Sequence, residues 1–438
     1  MNANRNNMFL AIALSAMVIF AWQYFIVTPQ MKADQARQAV LAKQEKKQPQ
    51  TAAPGAAPGS VPGMPAGAAT HMSREAALKV GGERVTIDSP LLDGSIALKG
   101  AKLDDLRLKK YHETLDPKSP EIVLLAPKST TYPYYAQFGW IGKNVPTDQT
   151  VWTQQGSGAL SPNRPVTLTW DNGQGLTFTR VVAVDEQYMF SITDSIANSS
   201  GQAQTLYPFA YVAREGIPKE QTSWVLHQGF VGVANGSETD ANYTDFKDEG
   251  TPPKSFSSTG GWVGITDKYW MAAVIPPQNE TYNGAYLGST LSGDNKAYQA
   301  NYRLGARIVA TGAQTQVTHR LFAGAKVVDL LRGYEKKENI ANFDKAIDWG
   351  WFWFLTQPLF WLLDIFYKFI GNFGIAILML TVVVKLLFFP LASASFKSMA
   401  RMKKVQPYME EIKKAHKDDP QRQQQEIMAL YKREKVNP

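Results

Sequence analysis

"VTLTWDNGQGLTFTRVVAV", Val166–Val184, is the stretch that decides the fold of most of this chain. Apolar and polar residues alternate on both sides of "DNGQG", and a period of two is the signature of a strand with one buried face. Asn172-Gly173 supplies the turn, so the stretch predicts a β-hairpin. "QYMFSITDSIAN" (Gln187–Asn198) and "TQVTHRLFAG" (Thr315–Gly324) alternate in the same way. From about Leu78 to Arg320 such runs are separated by Gly, Pro, Asn and Asp, with no helical periods between them. That pattern predicts a large antiparallel β-sandwich over 76–335. Lys326–Glu335 (KVVDLLRGYE) reads as a short helix that closes it.

Outward from the sandwich the composition changes on both sides. Toward the N-terminus, residues 28–75 are first polar and then rich in Pro, Ala and Gly ("QPQTAAPGAAPGSVPGMPAGAA"), a tether with no regular structure to assign. Before it, Met8–Val27 is a twenty-residue uncharged run. That length spans a hydrocarbon core of about 30 Å, and no small-x-small cleavage site follows closely. It reads as an uncleaved anchor behind a short N-terminus, 1–7.

Toward the C-terminus, "DWGWFWFLTQPLFWLLDIFYKFI" (Asp348–Ile370) is aromatic on most faces, with Gln357, Asp364 and Lys368 on one side. Asp364 and Lys368 are placed to pair at i, i+4. The pattern suits a helix lying at the membrane surface, and a second span remains open. "GNFG" breaks it, and 374–391 is a second transmembrane helix ending at Pro390 and Leu391. The tail, 392–438, is basic by five charges out of eight for the whole chain. It reads as a cytoplasmic helical hairpin with Met399, Met402, Val405, Met409 and Ile412 along one face. "KDDP" separates its two helices, with Asp419 as N-cap and Pro420 at the first helical position.

Within the second span stands Lys385, a cation costing roughly 3 kcal/mol in hydrocarbon. Six residues from Leu391, about 9 Å, it either snorkels to the surface or faces a hydrated groove. Thr381 shares its face.

Other chemistry is excluded more easily. The chain has no cysteine, hence no disulfide, thiolate nucleophile or Cys-ligated metal. His112, His227 and His319 are the sandwich's only histidines and show no metal-ligand spacing; His319 alternates with Val317 and Leu321 as a core residue would. Nothing assembles a nucleophile, base and orienter, so no enzyme and no cofactor are expected. The basic tail lacks the aromatic interleaving of a nucleic-acid surface, so no DNA partner is expected.

Three separated blocks resemble a known family: "GGWVGITDKYWMAAVIPP" (Gly260–Pro277), "DWGWFWFLTQPLFWLL" (Asp348–Leu363), and Ser398–Pro438. They are similar to the YidC-type membrane protein insertases of Gram-negative bacteria. The resemblance implies a multi-pass inner-membrane protein with an N-terminal transmembrane anchor and a periplasmic β-supersandwich. An interfacial amphipathic helix, a second transmembrane helix and a cytoplasmic helical hairpin would follow. It implies insertion, folding and assembly of inner-membrane proteins, alone or with the Sec translocon, with nascent membrane proteins, lipid and the ribosome as partners. Lys385 falls where the family places a cation, usually Arg, in a hydrophilic groove, and Thr381 falls at a groove-lining position. Met399, Met402, Met409, Arg401, Lys403 and Lys404 fall in the substrate-receiving hairpin. Trp349, Trp351, Trp353, Trp361, Asp364 and Lys368 fall in the interfacial helix. The family continues through further spans, so Pro438 lies within its first cytoplasmic loop and the resemblance implies a truncated chain. The rival readings are a membrane-tethered carbohydrate-binding or mutarotase-like module, and a structural adaptor of the envelope.

Overall fold

The computed structural model describes residues 72–217, 227–246, 248, 250–292, 295–350, 352–417 and 419–434. The expected anchor Met8–Val27 and the tether as far as residue 71 lie outside them. The chain divides into two compact units, with the boundary between Trp353 and Phe354.

Two antiparallel sheets make the sandwich. One runs β1 (Arg84–Asp88), β2 (Leu92–Ala97), β3 (Lys102–His112), β5 (Tyr134–Ile141), β10 (Gln204–Glu215), β18 (Asn295–Leu304), β17 (Thr281–Ser292) and β14 (Lys254–Thr259). β4 (Glu121–Leu125) pairs with β3, and β19 (Arg307–Val309) with β10. The other runs β12 (Ser237–Glu238), β11 (Gly229–Ala234), β15 (Gly261–Thr266), β16 (Trp270–Ile275), β20 (Gln314–Ala325), β9 (Met189–Asn198), β8 (Leu176–Val184), β7 (Val166–Asp171) and β6 (Thr153–Gln155). β13 (Ala241–Asn242) pairs with β11.

β8 alternates buried and half-buried along its whole length. Its inward side chains are Leu176, Phe178, Arg180, Val182 and Val184, so the apolar face carries one guanidinium. Arg180 is 1% exposed and pairs with Asp194 on β9 through Nε–Oδ1 (2.6 Å) and Nη2–Oδ2 (2.7 Å). It also donates to the carbonyls of Ala101 (3.2 Å) and Phe138 (2.9 Å), which belong to the opposite layer. Tyr134 ties the layers again: its hydroxyl donates to Ile265 O (2.7 Å) and accepts from Ala272 N (2.9 Å).

The domain begins earlier than the composition suggests. Helix α1 (Arg74–Val80) is capped by Ser73, which accepts from Ala76 N, and Arg74 pairs with the buried Asp105. The tether therefore stops short of residue 75. At the far end α2 (Val328–Lys337) and the turn Phe343–Ala346 close the core, Phe343 packing edge-on to Trp262 at 5.2 Å.

Candidate functional site

Beyond Gly350, whose φ of +69° only glycine adopts easily, the chain turns into α3 (Trp353–Ile370). The helix starts five residues later than expected, because that left-handed residue breaks the first turn. Trp349 stands before it, and Trp351 lies outside the described residues. Trp353 and Trp361 are exposed, as are Phe354, Leu355 and Phe360. Lys368 and Asp364 pair at 2.7 Å. An aromatic surface with one paired polar stripe suits the boundary between headgroups and acyl chains.

Asn372 caps α4 (Phe373–Ala415), a single helix of 43 residues. The expected stop at Pro390 does not occur: Pro390 and Pro407 both lie inside the helix. This moves Lys385. The uncharged flanks around it now run from Phe373 to Phe396, bounded by Lys397. At 1.5 Å per residue Lys385 stands about 18 Å from one end and about 17 Å from the other. Both distances exceed the length of a lysine side chain. The Lys385 ammonium is exposed and has no ion pair or hydrogen bond among the described residues. Pro390 has no N–H to offer the Leu386 carbonyl one turn back, so a second polar group lacks its helical partner beside the lysine. Thr381, one turn before Lys385, donates its hydroxyl to Ile377 O (2.8 Å). Its proton is spent on its own helix, which leaves it as an acceptor.

The hairpin closes with α5 (Pro420–Arg433), where the Asp419 carboxylate accepts from Arg422 N at 3.1 Å. Val405 and Leu430 are buried between the two helices, with Met402, Met409, Ile412 and Tyr431 packed on them. The Tyr431 hydroxyl donates to Met409 Sδ at 3.1 Å. Of the expected methionine face, Met402 and Met409 are therefore packing residues, whereas Met399 is 57% exposed. Arg401, Lys403 and Lys404 are exposed beside it.

The sandwich contributes no reactive constellation among the described residues. No cluster of His, Asp and Glu there holds a metal. His112 Nδ1 meets Ser119 O (2.8 Å) and His227 Nε2 meets Phe230 O (2.8 Å), each a local backbone contact. His319 is fully buried, with the Tyr302 hydroxyl hydrogen-bonded to Nδ1 at 2.5 Å. Burial pushes its pKa down to about 4. Sequence reasoning missed a cleft of about 470 Å³ beside α1, where Lys99, Lys102 and Lys128 face Asp104, Asp148 and Glu215. Burial lowers the pKa of Lys102, and its carboxylate partner Asp148 is 4.0 Å away. The residues come from five separate segments, so no local motif announces the cleft.

A β-sandwich, a surface-seeking aromatic helix and an apolar helix with a cation at mid-length define an envelope protein anchored in a membrane. The comparisons narrow that class. The YidC periplasmic domain family matches residues 84–362, and the 60Kd inner membrane protein family matches 365–438. The membrane protein insertase YidC of Methylobacterium radiotolerans is 47% identical, over all of this chain and 74% of its own length. That of Sinorhizobium medicae is also 47% identical with the same coverage, and that of Bradyrhizobium diazoefficiens 43%. The chain belongs to the YidC family of membrane protein insertases, proteins of the inner membrane with a periplasmic sandwich. The rival readings as a carbohydrate module or an adaptor are not favoured. A galactose mutarotase related enzyme from Lactobacillus acidophilus aligns with 55% of this chain at 10% identity and TM-score 0.38, too slight a likeness to argue from.

Proposed function

We propose that the chain inserts membrane proteins by holding the Lys385 ammonium in a water-bearing groove part-way across the bilayer. The observation that carries this reading is the position of Lys385: mid-length in a 24-residue stretch, without a protein partner among the described residues. A charge there is tolerable only where water or a substrate group meets it. Thr381 and the Leu386 carbonyl add acceptors on the neighbouring turns. Such a groove lowers the desolvation cost of drawing a substrate's polar end into the membrane. An acidic residue on that end is attracted by about 4 kcal/mol at 4 Å and an effective dielectric of 20. The substrate's apolar segment then moves sideways into lipid, where burial retains it.

The other parts support this step. α3, with Trp353, Trp361 and the Asp364–Lys368 pair, anchors the groove at the periplasmic surface. On the cytoplasmic side, Met399 offers an adaptable apolar contact, and Arg401, Lys403 and Lys404 attract acidic chains, the ribosome included. The chain does this work alone or with components of the Sec translocon. No covalent chemistry or cofactor is required, because apolar burial drives the reaction. In vesicles reconstituted with the full chain, Lys385→Ala should slow insertion of substrates with acidic translocated tails by about tenfold, or 1.4 kcal/mol. Neutral tails should be spared and Lys385→Arg tolerated, since Arg keeps the charge. Equal losses for both tail types would remove Lys385 from recognition.

A further inference from the structure

α4 runs unbroken from the apolar stretch into the hairpin, so the angle at which Lys385 leaves the helix fixes which hairpin residues share its side. At about 3.6 residues per turn, Lys403 lies roughly five whole turns beyond Lys385. The two lysines therefore leave the axis in almost the same direction, about 27 Å apart. Pro390 lies between them without interrupting the helix. Within about 40° of that direction stand Thr381, Phe389, Ala392, Phe396 and Met399. All of them are exposed, as are both lysines.

α5 packs on another side. Met402, Val405, Met409 and Ile412 recur at the three- and four-residue spacing of one helical face, and they form the cluster with Leu430 and Tyr431. Val405 and Ile412 point about 160° and 180° away from Lys385, and Met402 and Met409 about 100° and 120° away. The second helix of the hairpin thus covers the back of α4. Among the described residues it leaves the strip from Lys403 to Lys385 uncovered.

That strip has a cation at each end and apolar side chains between them. The other basic residues nearby, Lys397, Arg401 and Lys404, leave the helix about 100° or more from it. Beyond Lys403 its next charges are Glu410 and Lys414, four residues apart and of opposite sign, so they offset each other.

Charge and length identify the occupant. Two cations call for two carboxylates, and 27 Å is the reach of about eight residues of extended chain. An isolated segment this short does not hold a helix in water, so an extended chain is the form that fits. Phe389, Phe396 and Met399 offer contact to whatever side chains lie between the two acids, methionine being the most adaptable.

We infer that Lys403 and Lys385 are the two ends of one loading strip for an extended acidic tail whose carboxylates stand about eight residues apart. Lys403 meets the trailing carboxylate at the hairpin end, and Lys385 meets the leading one. The first contact holds the tail within reach of the second, which becomes intramolecular and gains in effective concentration. The inference rests on the reading of Lys385 as the groove cation, and it gives that groove a preference for spacing as well as for charge.

The test uses the full chain in vesicles of phosphatidylethanolamine and phosphatidylglycerol. The probes are single-span proteins whose Gly/Ser-rich translocated tail carries two glutamates, either eight or two residues apart. Insertion is read as protection of the tail from protease added outside. The wider spacing should insert about threefold faster, the size of one exposed ion pair. Lys403→Ala should bring that ratio to one. Lys404→Ala, about 100° away on the helix, should lower both rates alike and keep the ratio. Equal rates for the two spacings in the parent protein would overturn the strip, and so would a ratio that survives Lys403→Ala. A ratio abolished equally by Lys404→Ala would reduce the strip to a diffuse basic surface. All three outcomes leave the groove cation standing if Lys385→Ala still slows both acidic probes relative to one bearing glutamines. Should Lys385→Ala slow neither, the groove reading fails and the strip with it. The comparison of spacings in the parent protein needs no variant, so the result does not hang on how a substitution folds.

Discussion

Arg180 in the sandwich and Lys385 in α4 are both cations set among apolar residues. Arg180 is 1% exposed and surrounded: a bidentate carboxylate, two carbonyls, and the rings of Phe138 and Trp152 at 5.9 and 5.2 Å. Lys385 is exposed, with neither ion pair nor hydrogen bond among the described residues. On the proposed reading, the difference separates a charge used for structure from one kept for a partner. A buried ion satisfied on every side holds two sheets in register and offers nothing outside. An unsatisfied ion in an apolar helix is a cost to the resting protein, recovered only when something else meets it.

The sharpest way to break the comparison is to leave one buried ion alone. Asp194→Ala strands the Arg180 guanidinium between the sheets and should cost the sandwich about 3–5 kcal/mol, read as a lower thermal midpoint by near-UV circular dichroism. The pair Arg180→Met with Asp194→Leu should recover much of that loss, because no charge then remains to be buried. A single variant as stable as the parent would mean that water reaches the pair.

His319 tests the same interior through pH. Its folded pKa of about 4 lies below the ordinary value of 6.5. Between those values the unfolded chain binds a proton that the folded chain refuses, so stability falls as pH drops from 6.5 to 4 and levels off below. The full interval corresponds to about 3 kcal/mol. His319→Phe should flatten this slope in pH-dependent urea unfolding, and an unchanged slope would assign the acid sensitivity to other groups.

For Lys385 the expected signs of stability and function are opposed. Lys385→Leu should stabilise α4 in the bilayer by roughly 2–3 kcal/mol, somewhat under the full intramembrane cost because the proposed groove brings water to the ammonium. The same change should lower insertion of substrates with acidic tails. A variant that gains helix stability while keeping full insertion would show that the charge is incidental.

Much of this was legible locally. The alternation in Leu176–Val184 specifies a half-buried strand, and "DDP" specifies a capped helix start, because both depend on neighbours in sequence. Arg180 stands on the apolar face of its strand in the sequence itself. Its partner was hidden, since Asp194 meets it only through the register of β8 on β9. Pro390 misled for a related reason: the rule that proline ends helices holds in water, where a freed carbonyl finds solvent and the chain can leave. In an apolar stretch leaving costs several further hydrogen bonds, so α4 continues. The methionine stripe was visible, but which methionines face the second helix depends on how the two helices cross.

The smallest expected effect compares two caps in the same half of the molecule. The Asp419 carboxylate accepts from Arg422 N at 3.1 Å, and the Asn372 side chain accepts from Ile375 N at 3.2 Å. Either alanine substitution removes one side-chain bond worth about 1 kcal/mol. α5 has fourteen residues and one narrow packed face, so losing a kilocalorie should raise amide exchange along its whole length. α4 has 43 residues and an apolar environment that penalises open backbone groups, so Asn372→Ala should fray no more than its first turn. Equal protection losses in the two helices would contradict the view that α4 is held by the bilayer and α5 by its cap and its packing on Val405.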